Sequence, residues 1–195
     1  MKERLKALSS GDPIKSKEAE EALKTALPSE LLPELLALAI DTDNFSVAES
    51  ACNVVASFRE NAVIASFLKA RLQSKDRAAR EGAAWVLSHA PQGALLAQIE
   101  ASAESDVDEA VRISCLNALR KYAWNQPDSE ARFTPIWLRA TEAAAPGVRG
   151  AGFECLSHVR DRKLDAVLER ALTDADQMIR NLYARLWLKN GGRQA

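Results

Sequence analysis

The stretch "DVDEAVRISCLNALRKYAW", residues 106–124, contains the pattern that decides the fold, because the same pattern recurs along the chain. Two aspartates open it, and apolar residues follow Asp108 at the three- and four-residue spacing of an amphipathic helix. An aspartate just before a helix accepts hydrogen bonds from the free backbone amides and favours the positive end of the helix. The stretch therefore predicts a helix that begins after Asp108, with Arg112 in its first turn.

The recurrence of this pattern defines a repeat. Taking Arg112 as position zero, matching segments place the same position at Ser16, Ala48, Arg80, Arg149 and Arg180. The steps between neighbouring zero positions are 32, 32, 32, 37 and 31 residues, and a period in this range is typical of a solenoid. We predict an all-α, right-handed α-solenoid of about six two-helix repeats. It forms one domain over 1–195, with an N-terminal cap at 1–11 and a C-terminal tail at 190–195.

Each repeat divides into a first and a second helix. Apolar residues stand sixteen and thirteen positions before zero, and another stripe runs through +3 and +7. Position −4 holds aspartate or asparagine, which can cap a helix, in every repeat except the fifth, where it is Ala145. We expect the arginines at zero to be structural, with their guanidinium groups facing the turns between helices, where aspartates can pair with them. The long 37-residue step predicts an inserted loop at 124–130.

The segment "LSHVRDRKLDAVLERALTDADQMIRNLYARLW", residues 156–187, has the core D-x-D-x-x-[VI]-R. In this it resembles the HEAT-repeat family, especially its short, phycobilisome-lyase-like units, and the resemblance covers about residues 12–190. Pro33 and Pro135 stand in first helices, where family members often kink. The resemblance implies an α-solenoid whose second helices line the concave side, and a role in binding other proteins.

Composition excludes several classes of function. The net charge is −1, so bulk attraction to nucleic acid or to anionic lipid is not expected. No apolar run approaches the length of a membrane span, and the N-terminus lacks the apolar core of a signal peptide. Three cysteines, Cys52, Cys115 and Cys155, form no CxxC and no metal-ligand spacing. An odd number of cysteines suits a reducing compartment, so we expect buried free thiols and a cytoplasmic location.

The sequence shows no constellation for catalysis. Its two histidines, His89 and His158, lie two repeats apart, neither is part of a His-Glu pair, and no glycine-rich phosphate loop occurs. We therefore expect a protein that is not an enzyme and has no catalytic residues, no cofactor and no metal site.

Helix geometry indicates which residues of the second helices point away from the core. These are the residues at positions +1, +5 and +8. Their charges balance, since there are four basic residues (Lys17, Lys24, Arg120, Arg185) and four acidic ones (Glu21, Glu49, Glu81, Glu154). A groove that tracks phosphates would be positive, so nucleic acid is disfavoured. The candidate partner-binding residues are Trp85, Asn117, Arg120, Ile113, Asn53, Glu81 and Trp124. Trp85 and Arg120 are expected to dominate the affinity, as such residues do in interfaces; the alternative is that Trp85 belongs to the core.

Two functions from different classes follow. The first is a non-enzymatic scaffold that binds a protein partner on its concave face, as an adaptor, an assembly factor or a toxin-neutralising protein. The second is a HEAT-like DNA-binding protein or an alkylpurine DNA glycosylase. Such glycosylases use tryptophans, an aspartate and arginines in a groove, and the four tryptophans of this chain are consistent with that. The neutral face favours the first function, and the sequence leaves the partner's identity and the oligomeric state open.

Overall fold

The computed structural model describes residues 2–10, 12–58, 60–159 and 161–189, except for the side chains of Arg162 and 185–189. The tail predicted at 190–195 lies outside these residues. Within them the chain forms twelve α-helices and no strand. The helices are α1 Lys2–Leu8, α2 Pro13–Ala26, α3 Leu32–Asp41, α4 Phe45–Val55, α5 Ala62–Leu72, α6 Arg77–His89, α7 Leu96–Ser105, α8 Glu109–Asn125, α9 Glu130–Ala140, α10 Pro146–Leu156, α11 Asp165–Glu169 and α12 Gln177–Lys189.

The helices pair as the repeat predicts. The chain divides into two compact units, an N-terminal unit over 1–99 and a C-terminal unit over 100–195, with the boundary inside α7. In the N-terminal unit α1 packs on α2, α3 on α4 and α5 on α6, while the second helices α2 and α4 also pack on each other. In the C-terminal unit α9 packs on α10, and α10 packs on both α8 and α12. The predicted all-α solenoid of two-helix repeats is confirmed.

The predicted capping residues begin the second helices. The side chains at −4 accept backbone amides in the first turn; these residues are Asp12, Asn44, Asp76, Asp108 and Asp176. The Oδ1 atom of Asp108, for example, accepts the amide of Ala110 at 3.0 Å. Ala145 makes no such bond, and α10 begins instead with Pro146, which has no amide hydrogen to satisfy.

The core follows the predicted stripes. The +7 residues are fully buried where their side chains are described: Leu23, Val55, Leu87, Leu119 and Leu156. The side chain of Trp187, at +7 of the last repeat, lies outside the described part of the chain. Small residues at +3 let helices approach closely, and Gly152 shows how closely. A Cβ atom placed there would lie 2.8 Å from the backbone nitrogen of Thr141, so α10 touches the backbone at the end of α9.

The zero-position arginines face the turns between helices, as predicted. Each donates to backbone carbonyls near its own turn: Arg80 to Ser74 and Lys75, Arg112 to Ala103, Arg149 to Ala143 and Ala144, and Arg180 to Asp174 and Ala175. Arg149 also forms a two-pronged ion pair with the carboxylate of Asp174 in the following repeat, at 2.8 and 3.0 Å. These hydrogen bonds stabilise turns that lack regular backbone pairing.

The prediction of an inserted loop at 124–130, made from the 37-residue step, was wrong. In the structure α8 extends to Asn125 and has 17 residues, whereas α10 has 11. A 3-10 turn at Pro127–Ser129 then leads directly into α9. No glycine or proline interrupts residues 121–125, so the helix continues until Pro127, which disfavours the helical conformation of the residue before it. Pro33 lies in the first turn of α3, and Pro135 lies inside α9.

Candidate interaction surfaces

The seven candidate residues lie on second helices in both units. The N-terminal unit contains Asn53 on α4 with Glu81 and Trp85 on α6. The C-terminal unit contains Ile113, Asn117, Arg120 and Trp124, all on α8. Each unit therefore presents its own candidate surface.

Trp85 is neither a core residue nor a fully exposed one. Its side chain is half-buried, and its indole group lies beside the buried thiol of Cys52, whose pKa it lowers against the larger effect of burial. The ring centroid lies 5.6 Å from that of Phe45 and 4.2 Å from that of His89. The Nδ1 atom of His89 lies 3.0 Å from the carbonyl oxygen of Trp85, one turn earlier in the helix. One side of the indole thus packs inward, while the other belongs to a surface cluster of aromatic rings.

Phe45 is a surface residue that the sequence analysis missed. It begins α4, and the residue is 63% exposed although it contacts Trp85. The signal was its spacing, because Phe45, Glu49 and Asn53 recur every four residues and share one exposed face of α4. On α6, Glu81 forms an exposed ion pair with Arg77 at 3.7 Å. This face of the N-terminal unit therefore combines aromatic rings with carboxylates.

In the C-terminal unit, Arg120 is held between two partners. Its guanidinium group forms an ion pair with Glu154 of α10 and lies 5.2 Å from the ring centroid of Trp124. Trp124 is 53% exposed, and its ring meets that of His158 edge-on at 5.1 Å. Burial lowers the pKa of His158, and the charge of Arg120 lowers it further, against the opposite effect of Glu154. The four side chains form one cluster in which Trp124 offers the most free surface.

A groove of about 430 Å³ lies between the second helices α8, α10 and α12. Its lining includes residues that the repeat places at outward positions: Ile113, Gly150 and Asn181 at +1, with Asn117 and Glu154 at +5. Gly147 and Gly150 supply no side chains from α10, whereas Met178 and Leu182 contribute apolar side chains from α12. Met178 is 76% exposed. The candidates Ile113 and Asn117 are thus brought together in a mainly apolar groove, beside the cluster around Arg120.

The ionisable groups that line this groove are acidic. They are Glu154 and Asp176, and no lysine or arginine is among the lining residues. Glu109 lies nearby, since its Oε1 accepts the amide of Gly147 at 2.9 Å. Asp176 caps α12 by accepting two amides through Oδ1. An apolar groove with acidic edges suits an apolar ligand that has positive charge next to it.

The cysteines are unsuited to nucleophilic chemistry. All three are buried and free, and burial raises the pKa of each thiol to about 12. Because the thiolate is the reactive form, these cysteines act as small apolar residues. In the part of the chain that the structure describes, no group of His, Cys, Asp and Glu residues could hold a metal ion. No helix there is long and apolar enough to cross a bilayer.

Comparison with known proteins identifies the fold. No protein-family model matches the sequence, and no curated protein matches it significantly. Among solved structures, YibA of E. coli aligns with a TM-score of 0.72 and 16% identity, over 93% of this chain and 65% of YibA. A chain of the Kap95p–RanGDP structure aligns with a TM-score of 0.59 and 15% identity, over 91% of this chain and 25% of that one. A designed armadillo repeat protein in complex with the peptide (KR)4 aligns with a TM-score of 0.50 and 14% identity, over 95% and 97%.

These likenesses, all below 25% identity, show the fold alone. The chain has an α-solenoid fold, as the designed armadillo repeat protein does, and it spans 65% of the length of YibA.

Proposed function

We propose that this protein is a non-enzymatic interaction module that binds a protein partner on the outward face of its second helices. The groove between α8, α10 and α12 is the observation that carries the proposal. It is formed by side chains from three successive repeats, so a partner segment that lies across it contacts all three. Stacked repeats offer extended surfaces of this kind, and an aromatic cluster beside an apolar groove suits a protein interface.

The solved structures give this proposal further support. In one of them Kap95p binds RanGDP, and another is a designed armadillo repeat protein in complex with a peptide. We carry over only the general role of a solenoid that binds protein. The core D-x-D-x-x-[VI]-R of the last repeat supports a relation to the short, phycobilisome-lyase-like units. An adaptor, an assembly factor and a toxin-neutralising partner are all consistent with the surface.

The charges of the groove favour protein over nucleic acid. A groove that follows a phosphate backbone needs lysine or arginine along its length, whereas Glu154 and Asp176 line this one. The high pKa of the thiols supports a role other than nucleophilic catalysis. We place the protein in the cytoplasm, and its three unpaired cysteines support that location.

Affinity capture from extract of the native cell tests the proposal. The full chain is immobilised, and retained proteins are identified with and without nuclease treatment of the extract. Asn181→Arg places a charged side chain in the groove, whereas Ala131→Arg places the same side chain on the exposed surface of α9, a first helix. We expect nuclease-resistant retention of a protein that Asn181→Arg abolishes and Ala131→Arg preserves. Retention that disappears with nuclease treatment would favour the nucleic-acid function instead.

A further inference from the structure

We infer that the groove between α8, α10 and α12 binds a large apolar side chain of a protein partner, next to which the partner carries lysine or arginine. This inference rests on the proposed function and gives the chemistry of the partner. It draws on three features of the groove: its apolar walls, the glycine on its middle helix and the acidic groups at its edge.

The walls of the groove fit an apolar side chain. Ile113 of α8 lies on one side, and Met178 and Leu182 of α12 lie on the other. A volume of about 430 Å³ lies at the lower end of the range for ligand pockets. It suits one or two large side chains of a partner rather than a folded element. Met178 is long and flexible, so it can adjust to the shape of the side chain that enters.

Gly150 lines the groove from α10, the middle helix, and packing does not require a glycine there. A glycine within a helix lowers helix stability relative to alanine, so it needs a reason. At Gly152 the reason is contact with the backbone of a neighbouring helix. At Gly150 an added Cβ would only reach ordinary contact with Ile179 Cγ1, at 3.7 Å, so alanine fits there. A larger side chain at this position would fill the space of the groove. We infer that glycine is used here because a ligand occupies that space.

The acidic groups at the edge determine the charge of the partner. Asp176 uses Oδ1 for its helix cap and Glu109 uses Oε1 for the amide of Gly147, so each has a second carboxylate oxygen available to a cation. Glu154 pairs with Arg120, a cation next to the groove that is also stacked on Trp124. An acidic partner segment would therefore be repelled, whereas lysine or arginine beside the apolar anchor gains complementary charge.

A selection from a random peptide library displayed on phage tests the inference with the full chain as bait. The most enriched peptide is then synthesised with a fluorescent label, and its affinity is measured by fluorescence anisotropy. We expect the enriched peptides to share a large apolar residue with lysine or arginine next to it. Gly150→Leu fills the groove and should weaken binding about tenfold or more, because the anchor side chain loses its buried site.

Two further variants complete the test. Ala131→Leu adds the same side chain to the exposed surface of α9 and should leave the affinity unchanged, while the far-UV circular dichroism spectrum establishes that each variant is folded. Asp176→Asn retains a capping side chain but removes the charge. It should weaken binding and make it less dependent on salt.

Three results would overturn the inference. The first is a failure to enrich peptides, or the enrichment of acidic ones. The second is a peptide whose affinity Gly150→Leu leaves unchanged; binding elsewhere on the second helices would then leave the proposed function standing. The third is a dimer of the parent protein that Gly150→Leu dissociates in sedimentation experiments, since the occupant would then be a second copy of the chain. Nuclease-sensitive capture, by contrast, would count against the proposed function itself.

Discussion

Two glycines of α10, two residues apart, should respond in opposite ways to the same substitution. Replacing Gly150 by alanine adds a methyl group whose nearest neighbour is Ile179 Cγ1 at 3.7 Å. This change should stabilise the protein by about 0.5–1 kcal/mol, because alanine is the better helix former. Replacing Gly152 places the methyl group 2.8 Å from the backbone nitrogen of Thr141 and 2.9 Å from the carbonyl carbon of Ala140. A backbone cannot yield as a flexible side chain can, so α10 must shift away from α9.

The difference between the two variants isolates the cost of this contact. Both substitutions change helix propensity and the entropy of the unfolded chain in the same way, so these contributions cancel in the comparison. What remains is the cost of overpacking, about 1–3 kcal/mol. We therefore expect Gly152→Ala to be less stable than Gly150→Ala by about that amount.

Urea unfolding followed by far-UV circular dichroism measures the difference. The parent and both variants must give similar dependence on urea concentration, because repeat proteins can depart from two-state unfolding. Equal stability of the two alanine variants would contradict the contact between α10 and the end of α9. It would also undermine the view that small residues at +3 set the distance between helices.

Three further predictions concern the core, the turns and pH. Leu119→Ala should lower the free energy of unfolding by about 2–5 kcal/mol in urea titration, because Leu119 is fully buried; a cost below about 1 kcal/mol would mean that the assigned register is wrong. Arg149→Lys should lower thermal stability despite keeping the charge, because lysine cannot reproduce the two-pronged bond to Asp174; an unchanged melting temperature would argue against a structural role. The pKa of His158 is lowered in the folded protein from its ordinary value of 6.5. As the pH drops through that value, the unfolded chain binds a proton more readily than the folded chain does, so the stability of the fold decreases. Melting curves between about pH 7.5 and 5.5 should show this loss, and His158→Gln should reduce it.

The structural features that could be predicted from the sequence depend on residues close together in the chain. Whether Asp108 caps α8 depends on atoms within four residues of it, and Arg112 reaches the carbonyl of Ala103, nine residues earlier at the end of α7. The repeat added a second source of information, because six versions of the same position can be compared. Position +7 is always large and apolar, and the structure buries it fully from Leu23 to Leu156.

The features that the sequence left open depend on neighbouring helices. The helical register places Trp85 on the outward face, but the register does not say what stands beside it. Phe45, forty residues earlier, covers part of the indole and leaves it half-buried. The groove likewise depends on contacts between residues of different helices. The sequence places Gly150 at an outward position, but the depth of the groove also depends on Ile113 and Met178, which flank it from other repeats.

Arg120 shows how such a neighbour changes the interpretation of a binding residue. Its type and position predicted that it would dominate the affinity for a partner. In the structure Glu154 already neutralises it from 34 residues further along, and Trp124 stacks against it. A partner that offered a carboxylate would have to displace Glu154, so it would exchange one ion pair for another with little gain. We therefore expect Arg120 to contribute to the proposed binding by holding Trp124 in place, and the exposed face of Trp124 to bury apolar surface against a partner.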